Sequence, residues 1–350
     1  MTPKRSLICS LIAGCVVDML LAGPTMAGTP KPEDLKKMEA ALPAKAPATP
    51  KKARKVLIYG NANGYVHSSI ELGEETIAKL GEKTGAYTSV ISNDPAVFDD
   101  LSGYDAVMLV STTGHFMLPH SQAGNKPSLP KKATAELKKA FEESKDAKIK
   151  AWEEKKKAED EKFASYKDKE KQRFDNLIAF VKSGKGLAGI HAASDAYYDF
   201  PEWGQCIGGY FNGHPFQNVM VKIDDPKNPI TAGFEGKTFN IVDETYTFKK
   251  DPWSRGKLHI LTSLDISGMK PDPKNPELKQ GENRPYDHDY GISWIHTYGQ
   301  GRVFYCAHGH KEEVYSNGPM LQEYLAGMQY ALGDLECDAT PSNPKTASAK

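Results

Sequence analysis

Seven side chains of the kinds that move protons or bind metals stand beside glycine-rich turns: His67, His191, Asp195, His214, Glu244, His308 and His310. Imidazole titrates near neutrality, so it can pass a proton or bind a divalent metal through a neutral ring nitrogen. A glutamate can act as general base, or as a further ligand beside histidines. The pivotal stretch is Gly186-Leu187-Ala188-Gly189-Ile190-His191-Ala192-Ala193-Ser194-Asp195. A strand of small residues runs into a turn that opens with histidine, and a carboxylate follows four residues later. Ligands of open α/β sheets bind at the carboxyl ends of strands, which is where His191 falls. The alternative is a buried strand whose His191 only caps the next helix. No HExxH or comparable short ligand motif is present, so spacing leaves proton transfer and metal binding both open. Among Asp243-Glu244-Thr245-Tyr246, neighbouring side chains of a strand face opposite ways, and only one carboxylate can serve a cleft. Glu244 is that candidate, and Asp243 reads as a turn former. His191, Asp195, Glu244, His214 and His310 are therefore the catalytic candidates, and His191, His214, Glu244 and His310 the candidate metal ligands. Tyr65, His67, Tyr210 and His308 are the candidate substrate contacts. Trp203 and Trp294 either stack on a ligand or fill the core, and Trp294 reads as core.

The elements that must position these residues alternate in type. Val56–Gly60, Ala86–Ile91, Tyr104–Val110 and Leu187–Ile190 are short apolar runs, consistent with buried parallel strands. Helices are expected from Ser69 to Glu82 and along the stripe Phe174, Leu177, Ile178 and Val181, which ends at Gly184. Further strands are expected at Val219–Ile223, Phe239–Val242 and Leu258–Leu261. A hairpin pairs Gly291–Thr297 with Arg302–Cys306, and a helix covers Met320–Leu332. This order predicts an α/β fold with a doubly wound, mostly parallel, flavodoxin-like sheet. Residues 126–172 break the rhythm with Lys, Glu, Ala and Asp. They read as a long charged helical insertion without a heptad seam, either a solvated arm or a contact for a protein partner or second subunit.

The chain has 350 residues and a formal net charge of zero, which argues against a nucleic-acid binder working through a positive field. Lys4 and Arg5 precede an apolar run from Leu7 to Gly23 and a small-residue site at Ala27. Residues 1–27 thus read as an export signal, for a periplasmic or secreted product without a transmembrane segment. Ile12-Ala13-Gly14-Cys15 offers the alternative of a lipoprotein anchored at Cys15. Residues 28–54, rich in Pro, Ala and Lys, read as a flexible linker with one short helix from Pro32 to Leu42. The folded domain is expected at 55–334 and a disordered tail at 335–350. Beyond the signal, Cys206, Cys306 and Cys337 are widely spaced, which makes a zinc–thiolate site unlike this chain and leaves room for one disulfide at most.

Five blocks carry a family resemblance: Val66-His67-Ser68-Ser69-Ile70, Gly189–Asp195, Gly208-Gly209-Tyr210-Phe211-Asn212-Gly213-His214-Pro215, Asp243–Tyr246, and Gly299–Tyr305 with Gly309-His310. In this order they resemble the ThuA-like proteins, named from trehalose utilisation. The resemblance implies a class I glutamine-amidotransferase-like fold. Those amidotransferases place a cysteine nucleophile where this chain has His191, so amide hydrolysis through a thiolate is not expected. The family association with sugar catabolism implies a small-molecule carbohydrate, such as a disaccharide oxidised to its 3-keto form. His191 with Asp195 or Glu244 would then be the base pair. His214 or His310 would stabilise the enolate, directly or through a divalent metal. The other implied class is a non-catalytic sugar-binding or scaffold protein.

Overall fold

The structure, a computed structural model, describes residues 28–129, 133–214, 216–265 and 289–342. The export signal with Cys15, the polar stretch 266–288, and residues 343–350 lie outside the described residues.

Nine strands form one mixed sheet in the order β2-β1-β3-β4-β9-β8-β7-β5-β6. The parallel half holds β1 (Lys55–Tyr59), β2 (Thr88–Ile91), β3 (Ala106–Val110), β4 (Gly186–Ile190) and β9 (Gly301–Cys306). Every residue of β3 and β4 is buried, as unbroken apolar strands covered on both faces must be. The other half, β8 (Gly291–Tyr298), β7 (His259–Leu264), β5 (Phe216–Ile223) and β6 (Phe239–Thr245), continues from β9 by antiparallel pairing. This α/β sheet is the expected one, with an antiparallel extension longer than the hairpin alone suggests.

Helices α2 (Ile70–Thr84), α5 (Pro201–Ile207) and α6 (Gly318–Ala331) pack on the sheet. A Cβ at Gly189 would lie 2.9 Å from Ile207 and 3.0 Å from Ala193, so only glycine lets α5 and the next turn approach β4 this closely. Trp203 and Trp294 are both fully buried, as are Cys206 and Cys306. The charged segment forms α3 (Ala135–Ala164), on which Phe163 is the buried residue, and the start of α4 (Lys167–Lys182). The expected boundary at 172 falls inside α4, because its later turns carry the apolar stripe that docks on the sheet. Helix α3 is tied down by Trp152, whose indole N–H donates to Gly124 O at 2.9 Å, and by Ser121, which donates to Glu159 at 2.6 Å. Where α3 meets α4, a cavity of about 680 Å³ is lined by His115, Phe163, Glu170, Asp199 and Phe200.

Residues 28–54 differ from a flexible linker. The expected short helix is present as α1 (Pro32–Ala41), which buries Met38, but the stretch that follows is bonded to the end of α6. Ala48 exchanges two hydrogen bonds with the Gln329 side chain, at 2.9 and 2.6 Å. Past α6, the chain also stays attached: Ser342 N donates to Leu258 O at 2.9 Å. Among the described residues no helix is long and apolar enough to cross a membrane.

Candidate functional site

Four chain segments that are remote in sequence meet at the carboxyl end of the parallel strands. His67 comes from the loop between β1 and α2, His191 is the first residue after β4, Glu244 lies near the end of β6, and His310 follows β9 by four residues. One donor atom from each of these four residues lies within 4.8 Å of the other three. His310 Nδ1 is 3.3 Å from His191 Nε2 and 3.4 Å from Glu244 Oε1. The His67 ring centre is 4.8 Å from that of His191 and 5.1 Å from that of His310. Tyr246 floors the group, its ring 4.2 Å from His191.

Local backbone explains how His191 reaches this point. Its φ is +48°, a left-handed conformation that costs a non-glycine residue energy and turns the chain sharply off the strand. His191 Nδ1 lies 2.8 Å from Ala307 O. A carbonyl only accepts, so Nδ1 carries the proton and Nε2 keeps its lone pair on the side of Glu244 and His310.

Burial sets the electrostatics. The His67 ring is pushed down to about 3, first by burial and then by the facing His310 and His214. His191 is held well below the ordinary imidazole range by burial, with His67 and His310 adding to it. Both rings are thus neutral at physiological pH, the form that ligates a metal. His67 Nδ1 is buried without a hydrogen-bond partner, a cost that a bound ion would remove. Three imidazole nitrogens and one carboxylate oxygen suit a borderline divalent ion such as zinc. On this observation the donor set fits a metal.

The remaining candidates occupy distinct places. His214 Nδ1 is 3.4 Å from Glu244 Oε2, but its side chain is 48% exposed and it stands on the solvent side of the group. His67, expected as a substrate contact, takes the place among the four converging donors that His214 was expected to fill. Asp195 is not among the four. Its carboxyl accepts a hydrogen bond from Tyr198 Oη at 2.6 Å, and burial pushes its pKa up. Tyr65 is 55% exposed, with its ring centre 4.8 Å from that of His67. Tyr210 and His308, expected at the substrate surface, are buried instead. The Tyr210 hydroxyl donates to Phe200 O at 2.6 Å, and its ring packs where any side chain at Gly204 would stand. His308 is 1% exposed and lies behind the site, its Nδ1 3.4 Å from Asp243. Sequence reasoning passed over Tyr198, 43% exposed and stacked on Tyr210. Like Tyr65, it is an exposed tyrosine. Tyr65 packs against His67, and the Tyr198 hydroxyl donates to Asp195 and to Phe211 O.

A family model described as trehalose utilisation (ThuA) matches residues 130–331. Among solved structures, the chain is similar to a putative ThuA-like protein from Bacteroides uniformis (18% identity, TM-score 0.51), with 85% of this chain and 98% of that one covered. It is also similar to one from Parabacteroides merdae at 13% identity and TM-score 0.47, covering 83% and 95%. At these identities the likeness to the first shows the fold. No curated protein sequence matches the chain.

Proposed function

The chain belongs to the ThuA family, and from that premise we propose that it is a carbohydrate-processing enzyme using histidine–carboxylate acid–base chemistry beside a divalent metal. The observation that carries this reading is the convergence of His67, His191, Glu244 and His310 from four separate segments. The family description, trehalose utilisation, favours a disaccharide as substrate. Exposed Tyr65, beside His67, and exposed Tyr198, bonded to Asp195, are suited to stack on sugar rings, whose C–H faces are apolar.

A divalent ion at the four donors would act as a Lewis acid toward a sugar carbonyl oxygen. His191, with Nδ1 committed to Ala307 O, serves to ligate rather than to shuttle protons. His214, half exposed beside Glu244, is the proton acceptor. On a 3-keto glycoside it takes the acidified C2 proton at a ring nitrogen, and the enolate then expels the C1 oxygen. Asp195, whose pKa burial raises, is assigned to return a proton to that leaving oxygen. The basic n-region, the apolar run and Ala27 support export, with lipidation at Cys15 as the other route.

The test is elemental analysis of the purified protein, followed by turnover of a 3-keto disaccharide and its unoxidised parent. The expected result is a near-stoichiometric divalent metal and turnover of the keto sugar. Glu244→Gln should abolish both. Sugar binding with no turnover of either compound would instead identify a binding protein.

A further inference from the structure

Asp243 has no exposed surface, yet both of its carboxylate oxygens are used. Oδ2 accepts from Gly309 N at 2.8 Å and Oδ1 from Lys311 N at 2.9 Å, so the two amides that flank His310 are gripped by one side chain. The alternation of β6 sends Asp243 to the side opposite its neighbour Glu244, which faces the histidines. The rest of the 307–311 loop is equally committed. Ala307 O accepts from His191 Nδ1, and His308 O from Tyr324 Oη at 3.0 Å. Gly309 O accepts from Ser69 Oγ at 2.9 Å and Tyr315 Oη at 3.1 Å. Gly309 itself has φ +134°, and a Cβ there would lie 2.5 Å from Ile190. The loop therefore has one shape, and three donors are referenced to it: His310 sits in it, His191 is oriented by it, and Ser69 ties it to the segment bearing His67. Glu244, the fourth, adjoins Asp243 in the chain.

We propose that Asp243 is a positioning residue, whose two-handed grip on the 307–311 loop sets the convergence of His191 and His310 with Glu244. This rests on the reading of the site as a metal centre. Metal ligands need partners that fix their orientation, and losing such a partner commonly costs 10–100-fold in affinity.

The test compares wild type with Asp243→Asn in the full chain. Asparagine keeps the volume but has one acceptor oxygen, so it can satisfy only one of the two amides. The readouts are zinc affinity by competition with a chromophoric chelator, thermal unfolding of the zinc-free protein, and amide exchange at Gly309 and Lys311. The expected result is a folded variant with zinc affinity lowered about 10–100-fold and faster exchange at those two amides. Leu325→Ala, which destabilises from within α6, should lower the melting temperature and leave zinc affinity unchanged. A folded Asp243→Asn with wild-type zinc affinity and wild-type exchange overturns the proposal. If wild type takes up no zinc, the metal reading falls, and the grip stands or falls on the exchange rates alone. If the variant does not fold, wild type still decides: rapid exchange at Gly309 and Lys311 would refute the grip, and strong protection would support it.

Discussion

His67 and His191 stay neutral in a pH range where a free imidazole takes up a proton, and this links the site to stability. The folded pKa of His67, about 3, lies below its ordinary 6.5. Between those values the unfolded chain binds more protons than the native one, so stability is full above 6.5 and is lost as pH falls. At pH 5 the loss is about 2 kcal/mol for one such ring. Buried carboxyls with raised pKa values, such as Asp195 and Glu323, work in the opposite direction, so the whole-protein profile mixes both. Replacing His67 by Gln isolates its share. In urea unfolding of metal-free protein, the variant should gain about 2 kcal/mol relative to wild type between pH 7 and pH 5. A constant difference across that range would mean that His67 titrates normally in the fold. All four converging residues stand among the sequence candidates, His67 for a different role, because each lies in or beside a strand-end turn. Tyr198 and Asp243 do not. Tyr198 stands in a run of aromatics that reads as core, and Asp243 passes for a turn former until its partners on the 307–311 loop are known.

At the scale of the element, α2 carries a cost that its hydrophobic face hides. Leu72, Ile77 and Leu80 dock on the sheet as their spacing requires. Glu74 is carried in with them, 3% exposed, with Oε1 lacking a hydrogen-bond partner. Burial raises its pKa from 4.5 to about 7, with neighbouring Glu71 adding to the effect. The folded state therefore binds the proton more tightly than the unfolded one. This contribution to stability is full below 4.5 and is lost as pH rises through 7, a penalty of up to about 3 kcal/mol at pH 8. Glu74→Gln, neutral at every pH and of similar size, should match wild type near pH 4 and be more stable at pH 8. Equal stability at pH 8 would show that Glu74 finds compensation in the native fold. A period of 3.6 revealed the helix readily. It could not reveal a buried acid, because glutamate at that position fits a solvated face equally well. The same limit applied to α4, whose charged first turns hid its continuity with the apolar stripe Phe174–Val181.

For the whole molecule, the parts hardest to read lie outside the alternating strands and helices. Strands such as β3 and β4 could be placed from apolar runs and turns because they are buried along their whole length. The stretch 42–54 announces nothing: proline, alanine and lysine suit an extended linker, and its attachment depends on partners almost 300 residues away. Arg54 Nε lies 2.9 Å from Asp334 Oδ2, and Lys51 N donates to the same carboxylate at 3.0 Å. The Asp334 side chain has no exposed surface, and that of Arg54 is 10% exposed. Removing one partner of a buried ion pair leaves a charge without compensation and costs about 3–5 kcal/mol, whereas removing both is far milder. Arg54→Ala should therefore destabilise by about that amount in urea unfolding. The double variant Arg54→Ala, Asp334→Ala should recover much of the loss, because the stranded carboxylate is gone. A true linker would respond differently, with Arg54→Ala within about 0.5 kcal/mol of wild type, as for an ordinary surface residue. That outcome would detach residues 42–54 from the fold and return the start of the domain to Lys55.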